Sequence, residues 1–149
     1  MLDSFDRAIL EIVQRDNQRT HADIGRQVNL SPSSVRRRLA RLRKEGVIQA
    51  DVALLSLGGE SITAIVRVSF QQESLEANNA FKRRMQESPE VSQCYAVSGE
   101  TDFILVVHAA TLADYEAWGE RTLMSDPAIR RYDTHIVWSR VKFSTAIPL

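Results

Sequence analysis

The chain has 149 residues, 44% hydrophobic and 26% charged, which is the balance of a globular protein with room for one domain or two small ones. That composition excludes a collagen-like fibre and an acidic disordered tail, and the single Cys94 excludes a disulfide scaffold. Nineteen basic and nineteen acidic residues cancel, yet the first 58 residues hold ten against seven and the remainder nine against twelve.

Three helices are predicted up to Lys44. Phe5, Ile9, Ile12 and Val13 recur at i, i+4, i+7 and i+8, the stripe of an amphipathic helix, with Asp3 and Asp6 at its positive end. Thr20 followed by Asp23 opens a short second helix that closes near Asn29. Ser31 as N-cap and Pro32 at the first position open the third. Its inward stripe is Val35, Leu39 and Leu42, and Gly46 stops it.

From Val47 the period changes to two. Ile48, Ala50, Val52 and Leu54 alternate as a short strand, and the glycine pair Gly58-Gly59 marks a hinge over 56–61. Then come a strand over 62–70, a helix over 75–86 and strands over 91–98 and 103–108. A helix from 111 to about 124 and a long strand over 132–143 complete the chain. The order β-α-β-β-α-β is the ferredoxin-like arrangement, four antiparallel strands with both helices on one face. The fold class is therefore α+β: a helix-turn-helix domain with winged-helix character over 1–55, then a ferredoxin-like domain over 62–149. Ile104 and Val106 are apolar on the face opposite Phe103, Leu105 and Val107. The face that the helices leave open is expected to meet another subunit.

The third helix carries the sharpest signal. Within 31–44 there are six cations (Arg36, Arg37, Arg38, Arg41, Arg43 and Lys44) and no acid. Ser33, Arg37, Arg41 and Lys44 lie opposite the apolar stripe, flanked by Ser34 and Arg38, a face suited to phosphates and guanine edges in a major groove. With Ser31 and Arg36 these are the candidate DNA-binding residues. A generic arginine run is usually a solvated face. Ser-Pro capping and a preceding short helix point here to double-stranded DNA as partner. His21, His108 and His135 have no ligand spacing and read as structural, Cys94 as a core or interface residue, and Trp118 and Trp138 as packing residues. No metal, cofactor or catalytic motif is expected. No apolar run approaches the ~18–20 residues of a membrane helix, and the N-terminus lacks the features of a signal peptide. A cytoplasmic protein without a membrane partner is expected.

The stretch Leu2-Asp3, Asp6, Ile9-Leu10, then Leu30-Ser31-Pro32-Ser33-Ser34-Val35, Arg38, Arg41-Leu42 and Gly46-Val47-Ile48 resembles the Lrp/AsnC family of leucine-responsive and asparagine-operon regulators. Pro89-Glu90-Val91 and Val97-Ser98-Gly99-Glu100-Thr101-Asp102-Phe103 are similar to the family's amino-acid-sensing domain. The resemblance implies a transcription regulator with a small-molecule effector, an amino acid, and dimers that often assemble into octamers. Two positions depart from the pattern. Asn29 replaces a turn glycine, and Gly25 replaces an alanine at a cost of up to ~1 kcal/mol in helix propensity. Spacing alone makes residues 98–102 a hairpin connection. The resemblance makes Ser98, Gly99, Glu100, Thr101 and Asp102 the effector-binding turn, with Gly99 and Thr101 as backbone donors and Asp102 accepting from an ammonium group. Two other readings use the same architecture: an enzyme resembling the haem-precursor decarboxylases, and an amino-acid-sensing co-regulator that does not bind DNA.

Overall fold

Each of the first three helices begins on a side-chain cap. The computed structural model describes residues 1–55 and 61–149, so the expected hinge 56–61 lies outside the described residues except for Ser61. Helix α1 spans Ser4–Val13, where Asp3 Oδ1 accepts from the Asp6 amide at 2.7 Å and Asp6 returns the bond to the Asp3 amide. Helix α2, His21–Val28, is capped by Thr20, and helix α3, Pro32–Lys44, by Ser31. Between them Asn29 adopts the left-handed conformation at φ 55°, so asparagine does there what a turn glycine would.

Gly25 proves more than a tolerated departure. A Cβ at that position would lie 2.4 Å from the Leu30 carbonyl oxygen, so the tight α2–α3 turn requires its absence. Ile9, Ile24, Val28, Val35 and Leu39 form the core of this unit, and Leu42 is also buried. Phe5, expected in the inward stripe, is 41% exposed, and the Arg38 guanidinium lies 5.4 Å from its ring centroid.

The strand expected over 48–54 does not form. An alternating segment needs a partner ladder, and none pairs with it among the described residues. Instead Asp51 receives Nε and Nη2 of Arg43 at 2.8 and 3.2 Å.

Packing divides the chain into two units, Met1–Leu55 together with Lys142–Leu149, and Ser56–Val141. Residues 142–149, which the sequence reading places in the domain 62–149, pack with the first unit. There the Gln14 side chain donates to the Ile147 carbonyl at 3.1 Å and accepts from the Ile147 amide at 2.9 Å.

The second unit has the expected element order. Strand β1 (Ile62–Phe70), helix α4 (Leu75–Glu87), strands β2 (Val91–Ala96) and β3 (Phe103–Ala109), helix α5 (Leu112–Gly119) and strand β4 (Ile129–Ile136) follow one another, with a π-helical turn at Glu120–Met124. The sheet order is β2-β3-β1-β4, with every pair antiparallel. Ala64, Val66, Val68 and Phe70 of β1 and Phe103, Leu105 and Val107 of β3 pack with Phe81, Met85, Tyr115, Trp118 and Leu123. Phe70, Phe81 and Phe103 meet with ring centroids 4.7–5.7 Å apart.

Strand β4 stops at Ile136 rather than near 143. Ile136 pairs with Ala64, so β1 has almost run out of residues to pair with. Trp138, just beyond, is fully exposed in the chain and is not a packing residue here. Trp118 is buried and donates Nε1 to the Ser88 hydroxyl at 2.9 Å. Cys94 packs against the core, and burial pushes its thiol up. His108 sits between the hydroxyls of Thr63 and Ser92 at 3.1 and 2.9 Å, a structural environment.

Candidate functional site

Helix α3 sorts its cations into two groups. Arg38 donates Nη1 to Asp3 Oδ2 at 2.6 Å and to Asp6 Oδ1 at 2.8 Å. Arg41 donates Nη2 to Asp6 Oδ2 at 2.7 Å and Nη1 to Glu45 at 3.1 Å. Asp6 is 1% exposed. Burial alone would raise its pKa, but the hydrogen bonds from Arg41, Arg38 and the Asp3 amide outweigh this and hold it at about 2. Arg38 and Arg41, two of the expected DNA contacts, are thus paired to Asp3 and Asp6 at the start of α1. Arg43, outside the expected set, is bound to Asp51.

Ser33, Arg36, Arg37 and Lys44 remain exposed. Ser33, Arg37 and Lys44 recur at i, i+4 and i+11, with Ala40 at i+7, so they form one stripe along the helix. Ala40, a small apolar residue that the sequence reading did not single out, is exposed within this stripe. Ser31 and Ser34 serve the helix start: Ser31 Oγ accepts from the Ser34 amide at 3.2 Å and lies 2.9 Å from the Ser34 hydroxyl.

The turn 98–102 joins β2 to β3. Gly99 has φ +108°, and nothing lies within 4 Å of where a Cβ would be, so glycine is needed for the backbone angle and not for space. Four bonds tie the turn to β1, one of them from the Asp102 amide to the Val68 carbonyl at 2.9 Å. The Ser69 hydroxyl donates to the Glu100 carbonyl at 3.0 Å, Arg67 Nε to the Thr101 hydroxyl at 3.3 Å, and the Phe70 amide to Asp102 Oδ2 at 2.7 Å. Asp102 therefore holds the turn in place with one carboxylate oxygen, a role the sequence reading did not assign. Ser98, Gly99 and Glu100 are exposed.

Beside the turn lies a cavity of about 230 Å³, reached by Glu100 and Thr101 but not by Ser98, Gly99 or Asp102. Its other walls are Arg67 and Ser69 of β1 and Arg130, Arg131, Asp133 and His135 of β4. None of these six was singled out from sequence as a binding residue. The adjacent pair Arg130-Arg131 breaks strand alternation, and that is the signal that could have found them.

Residues 63–147 match the Lrp/AsnC ligand binding domain, and residues 2–49 match a winged helix-turn-helix DNA-binding domain. The chain belongs to the Lrp/AsnC family. An HTH-type transcriptional regulator of Sinorhizobium fredii is 38% identical over 150 residues, covering 99% of this chain and 89% of that protein. The leucine-responsive regulatory protein of Haemophilus influenzae is 31% identical, over 95% of this chain and 86% of that protein. A transcriptional regulator of Neisseria meningitidis, solved as a complex with L-Met, superposes with a TM-score of 0.89 at 30% identity, covering 99% of this chain and 97% of that one. This Lrp/AsnC chain is thus a transcriptional regulator with a DNA-binding module and a ligand-binding domain. The exposed stripe of α3 falls in the first matched segment, and the turn 98–102 with its cavity falls in the second.

Proposed function

We propose that this chain is a cytoplasmic, sequence-specific DNA-binding regulator, not an enzyme, whose assembly or DNA binding responds to an amino acid held beside the turn 98–102. The observation that carries the reading is the stripe of Ser33, Arg37 and Lys44 with Arg36 beside it. These cations have no acidic partner among the described residues, whereas Arg38, Arg41 and Arg43 are all committed within the unit. A solvated face with no function would not need that division. Phosphates position such a helix and base edges specify its site. The L-Met complex of the Neisseria relative supports an amino acid as the class of effector.

A homodimer completes the proposal. Ile65, Ile104, Val106 and Tyr95 share the sheet face away from the core, with Ile65 paired to Val106 and Tyr95 to Ile104. A second copy covers that stripe, and octamers assemble from such dimers. Two heads related by a two-fold axis read pseudo-palindromic sites, with half-sites spaced in steps of about 10–10.5 base pairs. Genome-wide mapping of bound DNA, followed by binding titrations on the recovered sites with and without each amino acid, tests the reading. Failure to enrich any site, or recovered sites whose affinity no amino acid alters, counts against it.

A further inference from the structure

The cavity beside the turn holds three guanidinium groups, Arg67, Arg130 and Arg131, against two carboxylates, Glu100 and Asp133. Their internal pairing is incomplete. Arg131 gives Nε and Nη2 to the same Asp133 oxygen at 2.9 and 2.7 Å, which neutralises both. Arg67 gives Nε to Thr101, an uncharged acceptor. Arg130 makes no hydrogen bond or ion pair among the described residues. What remains is two cations and Glu100, a surplus of one positive charge.

Arg130 reaches the cavity because of an irregularity in β4. Phe70 pairs with Ile129 while the neighbouring Ser69 pairs with Arg131, so Arg130 is an extra residue in the ladder. Regular alternation sends consecutive side chains to opposite faces. The bulge lets both arginines line one cavity, and bulges recur where a side chain is re-aimed beside a functional site.

We infer that this cavity takes a dicarboxylic amino acid, with its two carboxylates on Arg67 and Arg130 and its ammonium group on Glu100. Such a ligand carries one net negative charge and cancels the surplus. The guanidinium fork matches a carboxylate in geometry as well as charge. At about 230 Å³ the space lies below the ~300–1,000 Å³ of sites for drug-sized ligands and suits a molecule of amino-acid size. A neutral amino acid leaves one guanidinium without a partner. The inference rests on the effector reading proposed above and names the class of effector.

Calorimetry on the full chain at constant ionic strength tests it, comparing L-glutamate and L-aspartate with L-glutamine and L-asparagine. The acids are expected to bind at least about fivefold more tightly than their amides, fivefold being the scale of a weak ion pair and the sheet face being the one that the proposed second copy borders. Arg130→Gln should erase that preference and Arg130→Lys should restore part of it, with unfolding midpoints showing that both variants fold. Amides binding as tightly as acids, an unchanged preference in Arg130→Gln, or displacement of glutamate by equimolar inorganic phosphate would each overturn the inference. Equal binding of acids and amides leaves the amino-acid effector reading standing. Binding of none of the twenty amino acids removes both.

Discussion

Arg41 and Asp6 meet across two helices of the DNA-binding unit, Nη2 to Oδ2 at 2.7 Å, and Arg38 occupies the other oxygen of the same buried carboxylate. Asp6 therefore ties α3 to α1. Removing its charge leaves two guanidinium groups facing an amide. Breaking a buried ion pair costs about 3–5 kcal/mol, and the partial exposure of both arginines lowers the expectation to about 2–3 kcal/mol for Asp6→Asn. Urea denaturation of the variant against the parent protein measures it. A loss below about 0.5 kcal/mol would show that the helices hold together without the pair.

The same carboxylate predicts an acid limit. Its folded pKa is depressed from 3.8 to about 2, so its contribution is fully present above pH 3.8 and is lost as pH falls towards 2. The shift corresponds to about 2 kcal/mol. Stability measured between pH 5 and pH 2 should fall by about that much more in the native protein than in Asp6→Asn. Parallel curves for the two proteins would remove Asp6 from the explanation.

Division of the arginines predicts two kinds of variant. Arg37→Ala and Lys44→Ala should each weaken DNA binding and flatten the dependence of log K on log salt by about 0.9 for every phosphate left without its cation. Arg38→Ala and Arg41→Ala should act first on folding stability, because both are already paired to Asp3, Asp6 and Glu45. Salt titrations at matched folded fractions distinguish them. If Arg38→Ala flattened the slope as much as Arg37→Ala, the division would be wrong.

Gly25→Ala is a contest between two effects. Alanine gains up to ~1 kcal/mol in helix propensity. Its Cβ would stand 2.4 Å from a backbone oxygen, and forcing such an overlap costs typically ~1–3 kcal/mol. The variant should be less stable than the parent by thermal denaturation, against the propensity scale. A raised midpoint would mean that the α2–α3 turn can shift.

The open face of the sheet makes a prediction about assembly. Val106→Glu puts a charge opposite Ile65 at the centre of the apolar stripe. Light scattering should show the variant as a monomer at concentrations where the parent is a dimer. An unchanged mass would place the interface elsewhere.

Local signals in the chain made most of the architecture legible. The caps at Asp3, Thr20, Ser31 and Thr111 act within three residues, and the apolar alternation of β1 names its buried face directly. What escaped depends on partners far along the chain. A helical wheel shows that Arg38 and Arg41 lie off the apolar stripe, but not that Asp6, 32 and 35 residues earlier, waits beside them. Residues 48–54 alternate as a strand should, yet alternation cannot supply the neighbour that a ladder needs. The turn 98–102 was found through motif. Its cavity was not, because Arg67, Arg130 and Arg131 come together only through the sheet register and one bulge.

The bond pair between Gln14 and Ile147 changes how the chain must be cut to be studied. The polypeptide leaves its first unit after Leu55 and re-enters it at Lys142, so the regulatory unit is an insertion with two tethers, not an appendage with one. A single protease nick between residues 55 and 61 would leave the head still gripping the far end of the same molecule. Expressing residues 1–55 alone deletes eight residues of the unit it aims to isolate. A single chain carrying residues 1–55 followed by a linker and residues 142–149 would keep the first unit whole.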